Sequence, residues 1–299
     1  MNLISITDLS QEQIIKILDR AETYRIERDK YDEVTLRGKS MAMIFEKPST
    51  RTRVSLEIAL EELGGHALYL SSGELQLGRG ETLADTARVL SRYVHGITAR
   101  VSSHSTIKQL ARYASVPVIN ALSNLEHPLQ ILADLMTMRQ RFGRLEGLNV
   151  AWIGDGNNVC NSLILASAIM GMSISVASPT TYEPEPQILE EAENIGGRVK
   201  LFPDPVDAVK GADVVATDTW ISMGDEAEEA ERLRVFGRYQ VNARLMMMAS
   251  KGAIAMHCLP AHRGQEITDE VMDGPQSAVF DEAENRLHTS KAVLAMLMK

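Results

Sequence analysis

The chain has 299 residues, 44% of them hydrophobic and 24% charged, an ordinary globular composition with enough length for two domains of typical size. A formal net charge of -9 and a pI near 5.4 argue against a general nucleic-acid or anionic-membrane surface, so neither is expected as a partner. Two cysteines, Cys160 and Cys258, suit a reducing compartment better than a disulfide framework. The N-terminus lacks a basic region followed by a long apolar stretch, and no apolar run reaches membrane-spanning length, so the expected location is cytoplasmic.

Short apolar runs alternate with helical patterns along the whole chain. A first helix is expected over about Ser10–Arg28. Strands follow at Ser40–Phe45, His66–Leu70, Gly96–Val101 and Val116–Asn120, with helices near Thr50–Leu63, Thr82–Arg92 and Ser105–Tyr113 between them. After a helix at Pro128–Phe142 a second set of strands is expected at Asn149–Ile153, Ser173–Ala177, Arg198–Phe202, Val214–Thr217, Ala253–Met256 and Ala278–Phe280, again interleaved with helices. A last helix covers about Asn285–Met298. The fold class this implies is α/β, two doubly wound parallel-sheet domains with flanking helices. The boundaries expected are 1–132 and 133–284, with the helix at 285–299 packing back on the first domain.

The helix at Thr50–Leu63 has apolar lines at Val54 and Ile58 and at Leu56, Leu60 and Leu63, and its charges run against its dipole. Lys47, Arg51 and Arg53 crowd the end where the dipole is already positive, while Glu57, Glu61 and Glu62 lie toward the negative end. That arrangement costs stability unless an anion sits at the N-terminus, where backbone N–H groups, hydroxyls and guanidinium forks can share it. In doubly wound sheets ligands bind at the carboxyl ends of the strands, which here read EKPSTRT, RVSSH, EHPLQ, GDGNN, DTWISMG and HCLP. A capped helix or satisfied turn would account for any one of these; six polar strand ends together point to a site.

Ser49-Thr50-Arg51-Thr52-Arg53, His127-Pro128-Leu129-Gln130, Asp218 with Ser222-Met223-Gly224, and His257-Cys258-Leu259-Pro260 resemble the motifs of the carbamoyltransferases, the last two those of the ornithine branch. The resemblance runs nearly the whole chain, through the closing Glu282–Leu294 segment. It implies a carbamoyl-phosphate domain followed by an amino-acid domain, an active site in the cleft between them, and transfer of a carbamoyl group to the side-chain amine of L-ornithine. It further implies no cofactor, no metal, and a homotrimer or multiple of trimers with shared active sites.

Carried over by matching position, Ser49, Thr50, Arg51 and Thr52 would hold the phosphate. Arg100, His127 and Thr52 would contact the carbonyl oxygen, Gln130 the carbamoyl NH2, and Arg286 would complete that site. Asn158, Asp218, Ser222 and Met223 would bind ornithine, with Cys258 and Leu259 where the amine meets the carbonyl. Gln76, in the polar loop Ser71–Thr82, would reach a neighbouring subunit. The residues themselves fit this chemistry. A histidine opening the helix at Pro128 is biased toward neutral and can donate to a carbonyl, and Asp218 with Asn158 can receive an ammonium and a carboxylate. Arg100, His127, Cys258 and Asp218 are the expected catalytic set. Direct attack by the amine needs no covalent intermediate, so Cys258 is read as positioning substrate, with a small buried hydrophobe as the plain alternative.

Rival readings are weaker. GDGNNV lacks the third glycine of a dinucleotide fingerprint, and the next strand ends in Ser178-Pro179 with no acidic residue for a ribose. His257, Cys258 and His262 lack paired metal-ligand spacing, and the acidic run Asp225–Glu231 reads as a solvated helix start. Putrescine or N-acetylornithine as acceptor, or a carbamoyl-phosphate-binding paralogue without turnover, are the remaining alternatives.

Overall fold

A computed structural model describes residues 1–28, 34–73, 75–76, 80–221 and 226–299. Contacts divide it into two compact units, Met1–Met136 with Glu284–Lys299, and Thr137–Ala283.

The first unit is built on four parallel strands, β1 (Ser40–Phe45), β2 (His66–Ser71), β3 (Gly96–Arg100) and β4 (Val118–Leu122), in the order β2-β1-β3-β4. Its helices are α1 (Gln11–Ile26), α2 (Thr50–Glu62), α3 (Leu83–Leu90), α4 (His104–Tyr113) and the start of α5 (Pro128–Phe142). β1 and β3 are central and almost wholly buried, whereas β2 is half-exposed at the sheet edge, as burial on both faces requires continuous apolar runs only for inner strands. Ala42, Ile44, Ile97 and Ala99 pack with Ile107, Leu110 and Val118 into one core. The last strand sits two residues later than expected because Pro117 supplies no N–H. Its edge is covered by the N-terminal segment, where Leu3 and Ile119 form a parallel bridge and Leu3 N–H donates to Val118 O at 2.9 Å.

The second unit carries β5 (Asn149–Ile153), β6 (Ser173–Ala177), β7 (Arg198–Phe202), β8 (Val214–Thr217) and β9 (Ile254–His257), all parallel, in the order β7-β6-β5-β8-β9. Edge strand β7 exposes Arg198 and Lys200, charges that discourage pairing with another chain. The helices that follow are α6 (Asn158–Ile169), α7 (Pro186–Ile195), α8 (Pro205–Val209), α9 (Glu229–Phe236), α10 (Ala243–Met246), α11 (Asp269–Met272) and α12 (Val279–Leu297).

Two expectations are corrected. Ala278–Phe280 is no strand: Ala255 and Ser277 make only an isolated bridge, and α12 already begins at Val279. On α2 the buried stripe is Leu56, Ala59 and Leu60, while Val54 is 50% exposed, so the apolar line through Val54 does not face the core.

In each sheet the order reverses direction once, between β1 and β3 and between β5 and β8. Those are the switch points where a crevice opens beyond the strand ends. Phe45 and Arg100 are register partners at the first, so the chain entering α2 lies beside Arg100. At the second, Gly156 leaves the crevice narrow: a Cβ there would fall 2.3 Å from the Pro184 nitrogen and 2.4 Å from the Glu183 carbonyl carbon. Because both neighbours are backbone, Gly156→Ala is expected to destabilise the second unit by ~1–3 kcal/mol, the usual range for overpacking, and to lower its thermal unfolding midpoint by several degrees; an unchanged midpoint would show that the 182–184 segment yields freely.

Candidate active site

The first cluster grows from the N-terminus of α2. Ser49 caps the helix by accepting the Thr52 N–H at 3.4 Å, Thr50 is exposed and Arg51 half-buried. Thr52 is fully buried, and its hydroxyl accepts a hydrogen bond from Arg286 Nη2 at 2.9 Å, a contact spanning 234 positions of sequence. Arg51 Nε is buried with no hydrogen-bond partner among the described residues. Arg53 behaves differently. Its Nε pairs with Glu57 at 2.9 Å and its guanidinium lies 4.0 Å over the Tyr69 ring. The reversed charge of this helix therefore narrows to Arg51, and Arg53 is a surface group neutralised by its own helix.

Arg100 ends β3 and is 8% exposed, and Arg286 is 5% exposed. Close by, His127 immediately precedes Pro128 at the first turn of α5, where its carbonyl accepts the Gln130 N–H at 3.0 Å. His127 is held well below the ordinary imidazole value, first by burial and then by the charges of Arg286 and Arg100. The ring is thus neutral at physiological pH and can donate a hydrogen bond without bringing another charge. Gln130 is fully buried and its Nε2 donates to Asp134 Oδ1 at 2.9 Å, which turns its Oε1 into the accepting end. Gln76 is exposed on its loop.

The turn into His127 is itself braced. Ser123 Oγ bonds His104 Nδ1 at 2.8 Å and accepts the Glu126 N–H at 3.2 Å, while Glu126 accepts the Ile6 N–H at 3.1 Å.

A second cluster lies in the other unit, beyond β8 and β9. Asp218 is 7% exposed. Its Oδ2 accepts from Asn157 Nδ2 at 2.8 Å, and its Oδ1 from the Thr219 N–H at 2.8 Å and from Cys258 Sγ at 3.0 Å. Asn158, the first residue of α6, and Leu259 are half-buried. Cys258 follows β9 in a turn where Leu259 takes φ +59, a left-handed conformation costly for a branched residue. That turn is pinned: Leu259 N–H donates to His257 Nδ1 at 2.9 Å, His257 Nε2 meets Glu266 Oε1 at 3.0 Å, and the His257 N–H donates to Glu282 at 2.9 Å. Asp218, His257 and Cys258 bring ligand atoms within 4.8 Å of one another, but both His257 ring nitrogens are already engaged, so the group is poorly suited to a cation. Arg232, only 10% exposed, ties the segment after β8 to the β5 end through Asp155 at 3.0 Å and the Trp220 carbonyl at 2.9 Å.

Ser222 and Met223, with the Gly224 expected as a hinge, lie outside the described residues. The remaining expected residues fall into two groups: Ser49, Thr50, Arg51, Thr52, Arg100, His127, Gln130 and Arg286 in the first unit, and Asn158, Asp218, Cys258 and Leu259 in the second. Sequence reasoning passed over Asn157 and Arg232. The first was hidden by its neighbour Asn158, although an Asn before a helix is a recognisable cap, and the second sits in what reads as a solvated acidic helix.

Comparison with known proteins follows the same division. Residues 1–140 match the family model described as aspartate/ornithine carbamoyltransferase, carbamoyl-P binding domain, and residues 146–297 match its Asp/Orn binding domain. The ornithine carbamoyltransferase of Methanosarcina mazei is 57% identical over 300 residues, covering 100% of this chain and 99% of that one. That of Archaeoglobus fulgidus is 55% identical, covering 99% and 97%. Among solved structures, the ornithine carbamoyltransferase of Pyrococcus furiosus superposes with a TM-score of 0.95 at 51% identity, covering 99% of this chain and 96% of that one. The Thermus thermophilus enzyme gives 0.91 at 45%, covering 100% and 99%.

Burial of the two histidines makes stability depend on pH with a definite sign. His104 is pushed down to about 4, by burial first and then by Lys108, against an opposing pull from Asp8. Below its ordinary value the unfolded chain takes up a proton that the native ring refuses until about pH 4, so this residue's share of stability falls as pH drops through that window. His127 acts in the same sense. His104→Gln is therefore expected to lose less stability than the parent between pH 7 and pH 5 in urea unfolding; parallel losses would remove His104 from the account.

Proposed function

The chain belongs to the aspartate/ornithine carbamoyltransferase family, and on that footing we propose that it transfers the carbamoyl group of carbamoyl phosphate to the side-chain amine of L-ornithine, giving L-citrulline and phosphate. The observation that carries the assignment of the first half-site is the set at the start of α2, with half-buried Arg51 beside a buried group in which Thr52 is held by Arg286 and His127 is kept neutral beside Arg100. Such a set suits a compact dianion that carries a carbonyl.

Ser49, Thr50, Arg51 and Thr52 hold the phosphate, with guanidinium contacts outweighing the ~0.3–2 kcal/mol available from the helix dipole. Arg100, the Thr52 hydroxyl and neutral His127 face the carbonyl oxygen, where negative charge develops as the amine attacks. Gln130 accepts from the carbamoyl NH2 through the end of its amide not given to Asp134. In the second half-site Asp218 receives the α-ammonium and Asn158 donates to the α-carboxylate, and Ser222 and Met223 join them as ornithine-binding residues. The amine attacks in its neutral form, the C–N bond forms as the C–O bond to phosphate breaks, and the proton shed by the amine balances the departing phosphate. Cys258 and Leu259 serve as substrate-positioning groups.

The wider setting is part of the proposal: citrulline formation in arginine biosynthesis or its reversal in arginine breakdown, in the cytoplasm, as both cysteines are free thiols. The exposed Gln76 suits a loop that serves a second copy, in a homotrimer or multiple of trimers.

Citrulline production from carbamoyl phosphate should be measured with ornithine, putrescine, N-acetylornithine, lysine and aspartate. Turnover with ornithine alone is expected. Arg51→Ala should raise the KM for carbamoyl phosphate by about 10- to 100-fold, and His127→Ala should lower kcat by roughly 10²–10³. Turnover confined to another amine would overturn the role given to Asp218, and none at all would favour a binding protein.

A further inference from the structure

Asn157 and Asp218 face each other across the switch point of the second sheet, one following β5 and the other β8. The Asn157 amide is committed at both ends. Its Oδ1 accepts the Val159 and Cys160 N–H groups at 3.0 and 3.2 Å, which caps α6, and its Nδ2 donates to Asp218 Oδ2 at 2.8 Å. Turning the amide over would surrender both cap bonds and set a carbonyl oxygen against a carboxylate, so the helix fixes which end Asp218 meets. A carboxylate offers about four acceptor positions. Here one on Oδ2 goes to Asn157, while Oδ1 receives Thr219 N–H and the Cys258 thiol at 2.8 and 3.0 Å.

We infer that Asn157 is a positioning residue for the acceptor amino acid: it locks the plane of the Asp218 carboxylate so that the acceptor direction on Oδ2 that no other described residue uses is presented to an ammonium group. The same side chain sets where α6 begins, and hence where Asn158 stands at its first turn. One residue thereby couples the group proposed to bind the α-ammonium to the group proposed to bind the α-carboxylate. The inference rests on the ornithine reading of this half-site.

Asn157→Ser and Asn157→Asp separate the two roles, since both retain an oxygen that caps a helix and neither can donate to Asp218 as an amide does. The serine variant should raise the KM for ornithine by roughly 10-fold, and the aspartate variant by more, because it places like charge against Asp218. The KM for carbamoyl phosphate should stay at the parent value. An ornithine KM equal to the parent's in both variants, or both KM values rising together, would overturn the inference.

A readout without substrate tests the same link. Cys258 is the accessible thiol and Cys160 is buried, so alkylation by iodoacetamide, followed by mass, reports on the sulfur that shares the Asp218 carboxylate. Asn157→Asp should change its rate by about threefold or more, and an unchanged rate would sink the link to Asp218. If the rate shifts in a protein that does not carbamoylate ornithine, the reading of the reaction fails while the positioning of Asp218 by Asn157 stands.

Discussion

A parallel sheet that grows outward from a central pair of strands must part its connections at that pair, and both units of this protein depend on what they place in the resulting crevice. In the first sheet the pair is β1 and β3, and their carboxyl ends supply the start of α2, which follows β1, and Arg100, the last residue of β3. In the second it is β5 and β8, which supply Asn157 and Asp218. The central strands are largely apolar up to their carboxyl ends, so it is those ends that carry the chemistry. What differs is charge. The first crevice collects buried cations and the second a buried carboxylate, which is the division of labour expected if one holds a dianion and the other an amino group.

Buried cations impose a condition on everything near them. Arg100 and Arg286 are each less than 10% exposed, and a third positive charge beside them would be strongly disfavoured. His127 meets the condition by remaining neutral, because burial and the two guanidinium groups act in the same direction. Neutrality is also what makes it useful. A neutral ring donates to a developing oxyanion from a fixed position, whereas an imidazolium would compete for the phosphate. The helix start at Pro128 contributes to the same bias.

Much of this was legible in the sequence because it is local. Strands β1, β5, β6, β7 and β8 fall where the apolar runs place them, and Pro128 marks the start of α5. Misreadings came where a distant partner decides. Arg53 reads as part of a cation cluster until Tyr69 and Glu57 are seen beside it. Thr52 was expected at the site, yet that its hydroxyl is held by Arg286 from the far end of the chain is nothing periodicity could show. Ala278–Phe280 is apolar enough for a strand, yet only Ala278 pairs with β9, through its N–H to Ala255 O, before the Glu282 N–H bonds back to Ala278 and α12 begins at Val279. Periodicity reports which residues are buried, and it is silent on which buried polar groups meet.

The same limit applies to Cys258, where adjacency in sequence suggests a Cys-His nucleophile that the geometry rules against. A thiol acts as a nucleophile when a base accepts its proton. His257 is next in sequence, but its Nδ1 accepts the Leu259 N–H and its Nε2 is held by fully buried Glu266. The group the thiol does reach is Asp218 Oδ1, at 3.0 Å, in an interaction where sulfur is the donor. The thiol is thus engaged as a donor to Asp218, and the nitrogen of the adjacent histidine that would have to accept its proton is occupied. Cys258 is therefore a hydrogen-bonding group that helps hold Asp218 in one orientation, and the amine of the acceptor remains the nucleophile that the reaction requires.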